Sequence, residues 1–347
     1  MSYITSEAEA REIIGTPRAG LNLKKIDFLE THSKHYLEMS CLLAIASEKI
    51  PSRVLLVATQ ESQLSIESDT KFSLTVADNT LAALSIQDAP CGLYVLISGF
   101  EESLRINGKV SVSSIGEGET IIEIEIDEHY FHCAKSIRRS EFWGAVDSPF
   151  PATGPLTKAT LSEKEVGDFI KQSPFLLLAT QNEKGEADLS PRGDPGGFVR
   201  VLDNNKVLVP ERPGNLIADS IRNIIVNPSV AMILFIPGSE LTLTLIGKGK
   251  LTSASALLEA SEMNKKIPKI GIELTVEDVY FGVNSALAKQ DLWSKSGFGD
   301  RSAFPSLGMM ISEQMQTAGK IPKGNSAKAI GEVSEIAIEK DYKENLY

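Results

Sequence analysis

The sequence predicts a mainly β protein with flanking helices, built as two tandem barrels. Three observations predict it: a length that suits two domains, an internal repeat, and short strand-like runs cut by turn residues. At 347 residues the chain exceeds one ordinary domain and lets each of two bury its own core. Residues 124–143 (IEIDEHYFHCAKSIRRSEFW) lie without a gap on residues 274–293 (LTVEDVYFGVNSALAKQDLW). That match pairs Tyr130 with Tyr280, Phe131 with Phe281, and Trp143 with Trp293, the two tryptophans of the chain. Upstream, residues 92–110 mirror 231–250 in their order of strand, glycine-containing turn, strand and closing Gly-Lys. Residues 147–158 (DSPFPATGPLTK) concentrate Pro, Gly, Ser and Thr and read as a linker.

Strands are expected at 42–46, 54–59, 72–76, 94–97, 104–112 and 121–126, and again at 175–180, 207–209, 230–236, 241–246 and 270–276. Each is a β-branched or leucine-rich run bounded by Gly, Pro, Asn or charged residues, and many short strands between turns favour barrels. Helices fit at 6–14, 25–39, 163–171, 216–226, 254–264 and 286–293, with Asn227-Pro228 closing the fourth. The charged stretch 323–347 holds an amphipathic run at 333–342 and reads as a tail helix. The expected division is 1–150, 151–320 and 321–347.

Composition excludes several function classes. No apolar run approaches the roughly 18 residues of a membrane span, and residues 1–20 lack the apolar core of a secretory signal, so a cytoplasmic protein is expected. A net charge of −11 disfavours nonspecific nucleic-acid binding. Three scattered cysteines, Cys41, Cys91 and Cys133, point to buried thiols rather than a disulfide framework. The four histidines, His32, His35, His129 and His132, all lie in the first half, away from Asp188, Asp194 and Glu211, so no metal centre is expected. Ser190 has no partnered base in sequence and no nucleophile elbow occurs, which removes a hydrolase. Any anionic ligand must then be held by a local cluster.

Residues 187–215 (ADLSPRGDPGGFVRVLDNNKVLVPERPGN) can supply one. Arg192 stands in a turn with Pro191, Gly193, Pro195, Gly196 and Gly197, where glycines allow close backbone approach and turn amides form an anion nest. A guanidinium presents a planar fork to phosphate. A second turn, residues 210–215 (PERPGN), adds Arg212 and leads into the helix expected at Leu216, with Asn215 as its N-cap. The alternative is a pair of surface hairpin loops in which Arg192 pairs with Asp194 and Arg212 with Glu211.

The order SPRGD, GFVRVLD, PERPGN, then DSIRNIIVNPSV at 219–230, resembles the FMN-binding subgroup of the pyridoxamine 5'-phosphate oxidase-like superfamily. Residues 4–47 resemble the N-terminal helices and first strand of the same subgroup, and 132–143 (HCAKSIRRSEFW) its late strand-helix motif. The resemblance implies Greek-key split barrels with FMN in clefts between two barrels. The residues matching its phosphate loops are Ser190, Arg192, Gly193, Arg212 and Asn215. Lys135, Arg139 and Ser140, with Arg138, fall in the late motif.

Each half departs from the pattern differently. The first has no Arg-Gly-Asp turn and no PERPGN; the second has Gly282, Val283, Ser285 and Ala288 opposite His132, Cys133, Lys135 and Arg138. A cleft needing the loops of one barrel and the HCAK segment of the other can be built once, which implies an intramolecular pseudo-dimer with one FMN. Lys135 and Arg139 would balance phosphate charge, or else line a solvated helix face. His132 is either a buried structural histidine or a substrate contact, and the tryptophans read as packing. The expected function is an FMN-dependent oxidoreductase with an unknown small-molecule substrate or electron partner. Its competitor is a non-catalytic binding or sensing protein, since the same barrel hosts haem and deazaflavin. Catalytic residues are not assigned, and both a monomeric pseudo-dimer and a homodimer stay open.

Overall fold

The computed structural model describes residues 3–17, 21–77, 81–114, 118–144, 150, 154–214, 216–290 and 292–346. In chain order the strands are β1 (Tyr3–Ile4), β2 (Leu42–Ala46), β3 (Val54–Ala58), β4 (Ser62–Ser68), β5 (Lys71–Val76), β6 (Ala89–Leu96), β7 (Ser103–Ser114) and β8 (Thr120–His132). Then follow β9 (Thr157–Ala159), β10 (Phe175–Gln181), β11 (Ala187–Gly193), β12 (Arg200–Asp203), β13 (Lys206–Pro210), β14 (Ser229–Phe235), β15 (Leu241–Thr252) and β16 (Gly271–Val283). The helices are α1 (Glu7–Ile14), α2 (Thr31–Glu38), α3 (Lys135–Ser140), α4 (Lys164–Gln172), α5 (Asp219–Val226), α6 (Ser255–Leu258), α7 (Ser285–Ala288), α8 (Leu307–Thr317) and α9 (Ser326–Glu344).

Two compact units form, and neither is one continuous stretch. The first comprises Met1–Leu21, Lys135–Ser285 and Asn345–Tyr347; the second comprises Asn22–Ala134 and Ala286–Glu344. Each half of the chain thus gives the segment after its last long strand to the unit that carries the other half's sheet. Among the described residues the second unit holds a seven-stranded sheet in the order β3-β2-β6-β7-β8-β5-β4. The first holds β11-β10-β14-β15-β16-β13-β12, with β1 added beside β15 and β9 beside β16. Replacing each strand of one order by the strand eight places later in the chain gives the other, so the repeat read in the sequence is a repeat of topology.

The match extends to a shared irregularity. Register shifts between Asn107 and Gly108 in the β7–β8 ladder, and between Ile246 and Gly247 in β15–β16. A Cβ on Gly108 would stand 1.9 Å from the Glu125 carbonyl oxygen, and one on Gly247 1.9 Å from that of Thr275. Glu125 and Thr275 are themselves matched in the repeat. Both bulges therefore require glycine.

Strand alternation builds each core. In β8, Ile122, Ile124 and Ile126 point inward between Glu123 and Glu125, and join Phe72, Leu74, Leu93, Leu104 and Ile106 in the core of the second unit. In the first unit, Leu243, Leu245, Ile272 and Leu274 meet Val166, Phe169 and Ile170, the three residues that form one face of α4 at helical spacing. Cys41 and Cys91 are free and buried, and burial pushes the Cys41 thiol up to about 12. No helix among the described residues is long and apolar enough to cross a membrane.

Several helix expectations need correction. The helix expected at 25–39 is α2 alone, because Ile26 pairs as a β-bridge with His129 and the Glu30 side chain caps the helix start. The one expected at 254–264 stops after α6 and a short 3₁₀ turn, since Asn264 and Lys265 take left-handed backbone angles. Among the described residues of 286–293 only the single turn α7 forms. The helix expected from Leu216 begins at Asp219 and is preceded by Ala218 at φ +62°, while Asn215, its expected cap, lies outside the described residues. Helix α8 was not read at all, whereas α9 falls within the tail helix expected at 323–347. Of the linker expected at 147–158, residues 147–149 and 151–153 lie outside the described residues, and its end is strand β9.

Candidate functional site

Ser190 and Arg192 are placed by β11 rather than by a turn, which corrects the reading of 191–193 as one. Arg192 pairs with Leu176 of β10, and the turn begins only after Gly193. Proline is tolerated at position 191 because β11 is an outer strand of its sheet order. Strand alternation sends Ser190 and Arg192 to one face. There Arg192 donates from Nη1 to Ser190 Oγ at 3.3 Å, from Nη2 to Ser220 Oγ at 2.6 Å and from Nε to Glu211 Oε2 at 3.0 Å.

Arg212 donates from Nε to Asp194 Oδ2 at 2.6 Å and from Nη2 to the Ser261 carbonyl at 2.8 Å. The pairing is thus crossed: each arginine binds the acidic residue of the other loop, not its sequence neighbour. The two ion pairs bolt the loop after β11 to the loop after β13. Neither loop is a freely solvated hairpin, since Asp194 is fully buried and Arg212 nearly so. Burial raises the pKa of Asp194, against the opposing charges of Arg212 and Arg139. Asp194 Oδ1 has no hydrogen-bond partner among the described residues, so this pair holds position at a cost in desolvation.

Helix α3 docks against β11 within the same unit. A Cβ on Gly193 would sit 1.9 Å from the Ser136 carbonyl oxygen, so the glycine is what lets the two backbones touch. Phe142, just past the helix, packs on Phe175 with ring centroids 4.5 Å apart. The alternative of a solvated face for Lys135 and Arg139 is set aside: they are 3% and 7% exposed. Lys135 Nζ donates to the Asn345 carbonyl at 2.9 Å, and Arg139 Nη1 to those of Leu346 at 2.8 Å and Pro213 at 3.3 Å. Ser140 is turned into its own helix, donating toward the Ser136 and Ile137 carbonyls. His132 belongs to the second unit, half-buried, with Nδ1 3.1 Å from the Cys133 carbonyl oxygen.

Ser190, Arg192, Gly193, Arg212, Lys135, Arg139 and Ser140 therefore share one unit. Sequence reasoning missed two supports. Ser220, inside the DSIRNIIVNPSV stretch, steadies Arg192. Arg11 of α1 donates to the carbonyls of Leu216 at 2.6 Å and Ile217 at 3.1 Å. Those bonds hold a segment in which Leu216 and Ala218 both have positive φ, a conformation that persists only when its surroundings fix it. Nothing local in the sequence marks Arg11 for that role.

A mainly β unit whose outer strand β11 carries Arg192, with Arg212 after β13 and the basic helix α3 docked against β11, has the sheet of a split barrel. Residues 162–282, which carry Ser190, Arg192 and Arg212, match the family model described as pyridoxamine 5'-phosphate oxidase. The resemblance expected from the sequence is borne out over that segment. Among solved structures, HupZ of Group A Streptococcus is 19% identical over 35% of this chain and 98% of its own, with a TM-score of 0.30. General Stress Protein 26 of Bacillus anthracis is 14% identical over 34% of this chain and 92% of its own, TM-score 0.29. A NimC/NimA family protein of Clostridium acetobutylicum is 15% identical over 34% and 91%, TM-score 0.25. No curated protein sequence matches the chain.

Proposed function

We propose that this chain is an FMN-binding flavoprotein with one composite cofactor site in its first unit, serving an oxidoreductase reaction on a small molecule. One observation carries the reading: the arginine loops of the second half and the basic helix of the first half converge in a single unit. Arg139, Arg192 and Arg212 gather with two carboxylates, Asp194 and Glu211, and Lys135 stands one helical turn before Arg139 on α3. The formal surplus of two positive charges (4 − 2) complements a phosphate monoester of about −1.5 to −2.

The donor set fits that group. A guanidinium has five N–H donors, and Nη1 of Arg212 makes no hydrogen bond among the described residues. Ser190 Oγ is held within reach of Arg192 and keeps its own proton to donate. Gly193 lets α3 seat directly on the same strand end, which brings the basic helix to the arginines. The crossed ion pairs fix both guanidiniums before any ligand arrives, which lowers the ordering cost of binding. Lys135 and Arg139 would place positive charge beside the anion, stabilising negative charge in a low-dielectric setting. A bound flavin supplies hydride or electron transfer, and the protein supplies position and electrostatics.

The second half carries no equivalent of that basic helix: α7 reads Ser-Ala-Leu-Ala. The first half has no arginine where Arg192 and Arg212 stand. This supports one site per chain, with the two halves acting as a pseudo-dimer. Added FMN should raise the melting temperature and saturate at one flavin per chain. Arg192→Ala should weaken binding by roughly 10–100-fold, the loss of one charge-assisted donor set. Unchanged affinity in that variant, or two flavins per chain, contradicts the proposal.

A further inference from the structure

We propose that residues Asn345 and Leu346 form a strap that competes with the cofactor phosphate for Lys135 and Arg139. The inference rests on the phosphate site above and concerns its regulation. Two successive backbone carbonyls accept hydrogen bonds from two cations one helical turn apart, Asn345 from Lys135 Nζ at 2.9 Å and Leu346 from Arg139 Nη1 at 2.8 Å. Residues four apart lie on one face of a helix, so α3 offers both cations in the direction from which the strap approaches. With the strap in place both side chains are more than nine-tenths buried.

A neutral carbonyl is a weak rival for such donors. Phosphate brings charge and three strong acceptor oxygens, and bonds between charged partners are roughly twice as strong as neutral ones. An anion seated on Lys135 and Arg139 must therefore expel the two carbonyls, and the exchange favours the anion at a cost in apparent affinity. Tyr342 is buried and its hydroxyl accepts from the Ala134 N–H at 2.9 Å, which anchors the chain three residues before the strap. Asn345 is exposed and Leu346 only half-buried, so solvent reaches the strap from outside.

The test compares FMN binding, by flavin fluorescence, to the full chain and to a chain ending at Glu344. The shortened chain should bind more tightly by at least about tenfold, since two hydrogen bonds to cations no longer have to be broken. In the full chain, saturating FMN should speed hydrogen exchange at the amides of Asn345 and Leu346. The double substitution Asn345→Gly, Leu346→Gly keeps every carbonyl but makes the strap costlier to order, and should tighten binding by a smaller factor. Equal or stronger FMN binding by the full chain overturns the strap and leaves the cofactor site standing. No FMN binding by either chain overturns the cofactor reading, and the strap with it.

Discussion

Phe142→Ala is expected to cost the first unit roughly 3–5 kcal/mol, the usual penalty for emptying a buried aromatic site. Phe142 has no solvent exposure. Its ring lies 4.5 Å from Phe175, 4.8 Å from Trp143 and 6.3 Å from Phe235, centroid to centroid. Its backbone N–H donates to the Ile137 carbonyl at 3.1 Å, so the ring is tied to the end of α3. It is the apolar anchor that seats the basic helix on β10 and β14. At roughly 2–4 °C per kcal/mol for a unit of this size, a thermal melt should shift down by about 6–20 °C. FMN affinity should fall as well, because Lys135 and Arg139 ride on the helix that Phe142 fixes. A melt at the wild-type temperature contradicts the packing argument. A destabilised variant with full affinity for FMN contradicts the placing of α3 in the site.

The second large effect is a dependence of stability on pH, centred on His129 in the second unit. Its ring is buried on β8, with Nε2 2.8 Å from the Phe28 carbonyl oxygen and Nδ1 without a partner among the described residues. Burial pushes its pKa down to about 4, against smaller upward pulls from the Phe28 carbonyl and from the charges of Asp27 and Glu128. The unfolded chain protonates this ring near 6.5, so between about 6.5 and 4 the unfolded state binds more protons than the folded one. Stability contributed by the neutral ring is fully present above 6.5 and is lost as pH falls through that window, by up to about 3 kcal/mol. In His129→Gln, whose amide can still donate to Phe28, that part of the slope should vanish. Identical slopes in wild type and variant would refute the assignment.

The repeat was legible because large residues mark it: Tyr130, Phe131 and Trp143 recur at a constant offset as Tyr280, Phe281 and Trp293. The same offset carries Glu125 onto Thr275, and the two bulge glycines pack against that pair. The arginine loops were legible as a motif but not as a geometry. Pro191 and Gly193 have turn chemistry, and nothing local reveals that an outer strand tolerates both. The crossing of Arg192 to Glu211 and Arg212 to Asp194 joins residues 19 and 18 apart, on loops that follow two strands which do not pair in the sheet, so neither sequence adjacency nor strand pairing signals it. Arg11, whose bonds reach across 205 and 206 residues, and the strap, 210 residues from Lys135, have no local signal at all. The choice between a solvated and a covered face for Lys135 and Arg139 stayed open in the sequence for the same reason: what covers them comes from distant chain.

The most direct measurement is calorimetric titration of the 347-residue chain with FMN and with riboflavin, which differ only in the phosphate. A cluster of arginine, lysine and serine donors built for that group should favour FMN by roughly 100-fold or more, at one FMN per chain, with the preference shrinking in Arg192→Ala. Equal affinity for the two flavins would show that these residues do not hold a phosphate.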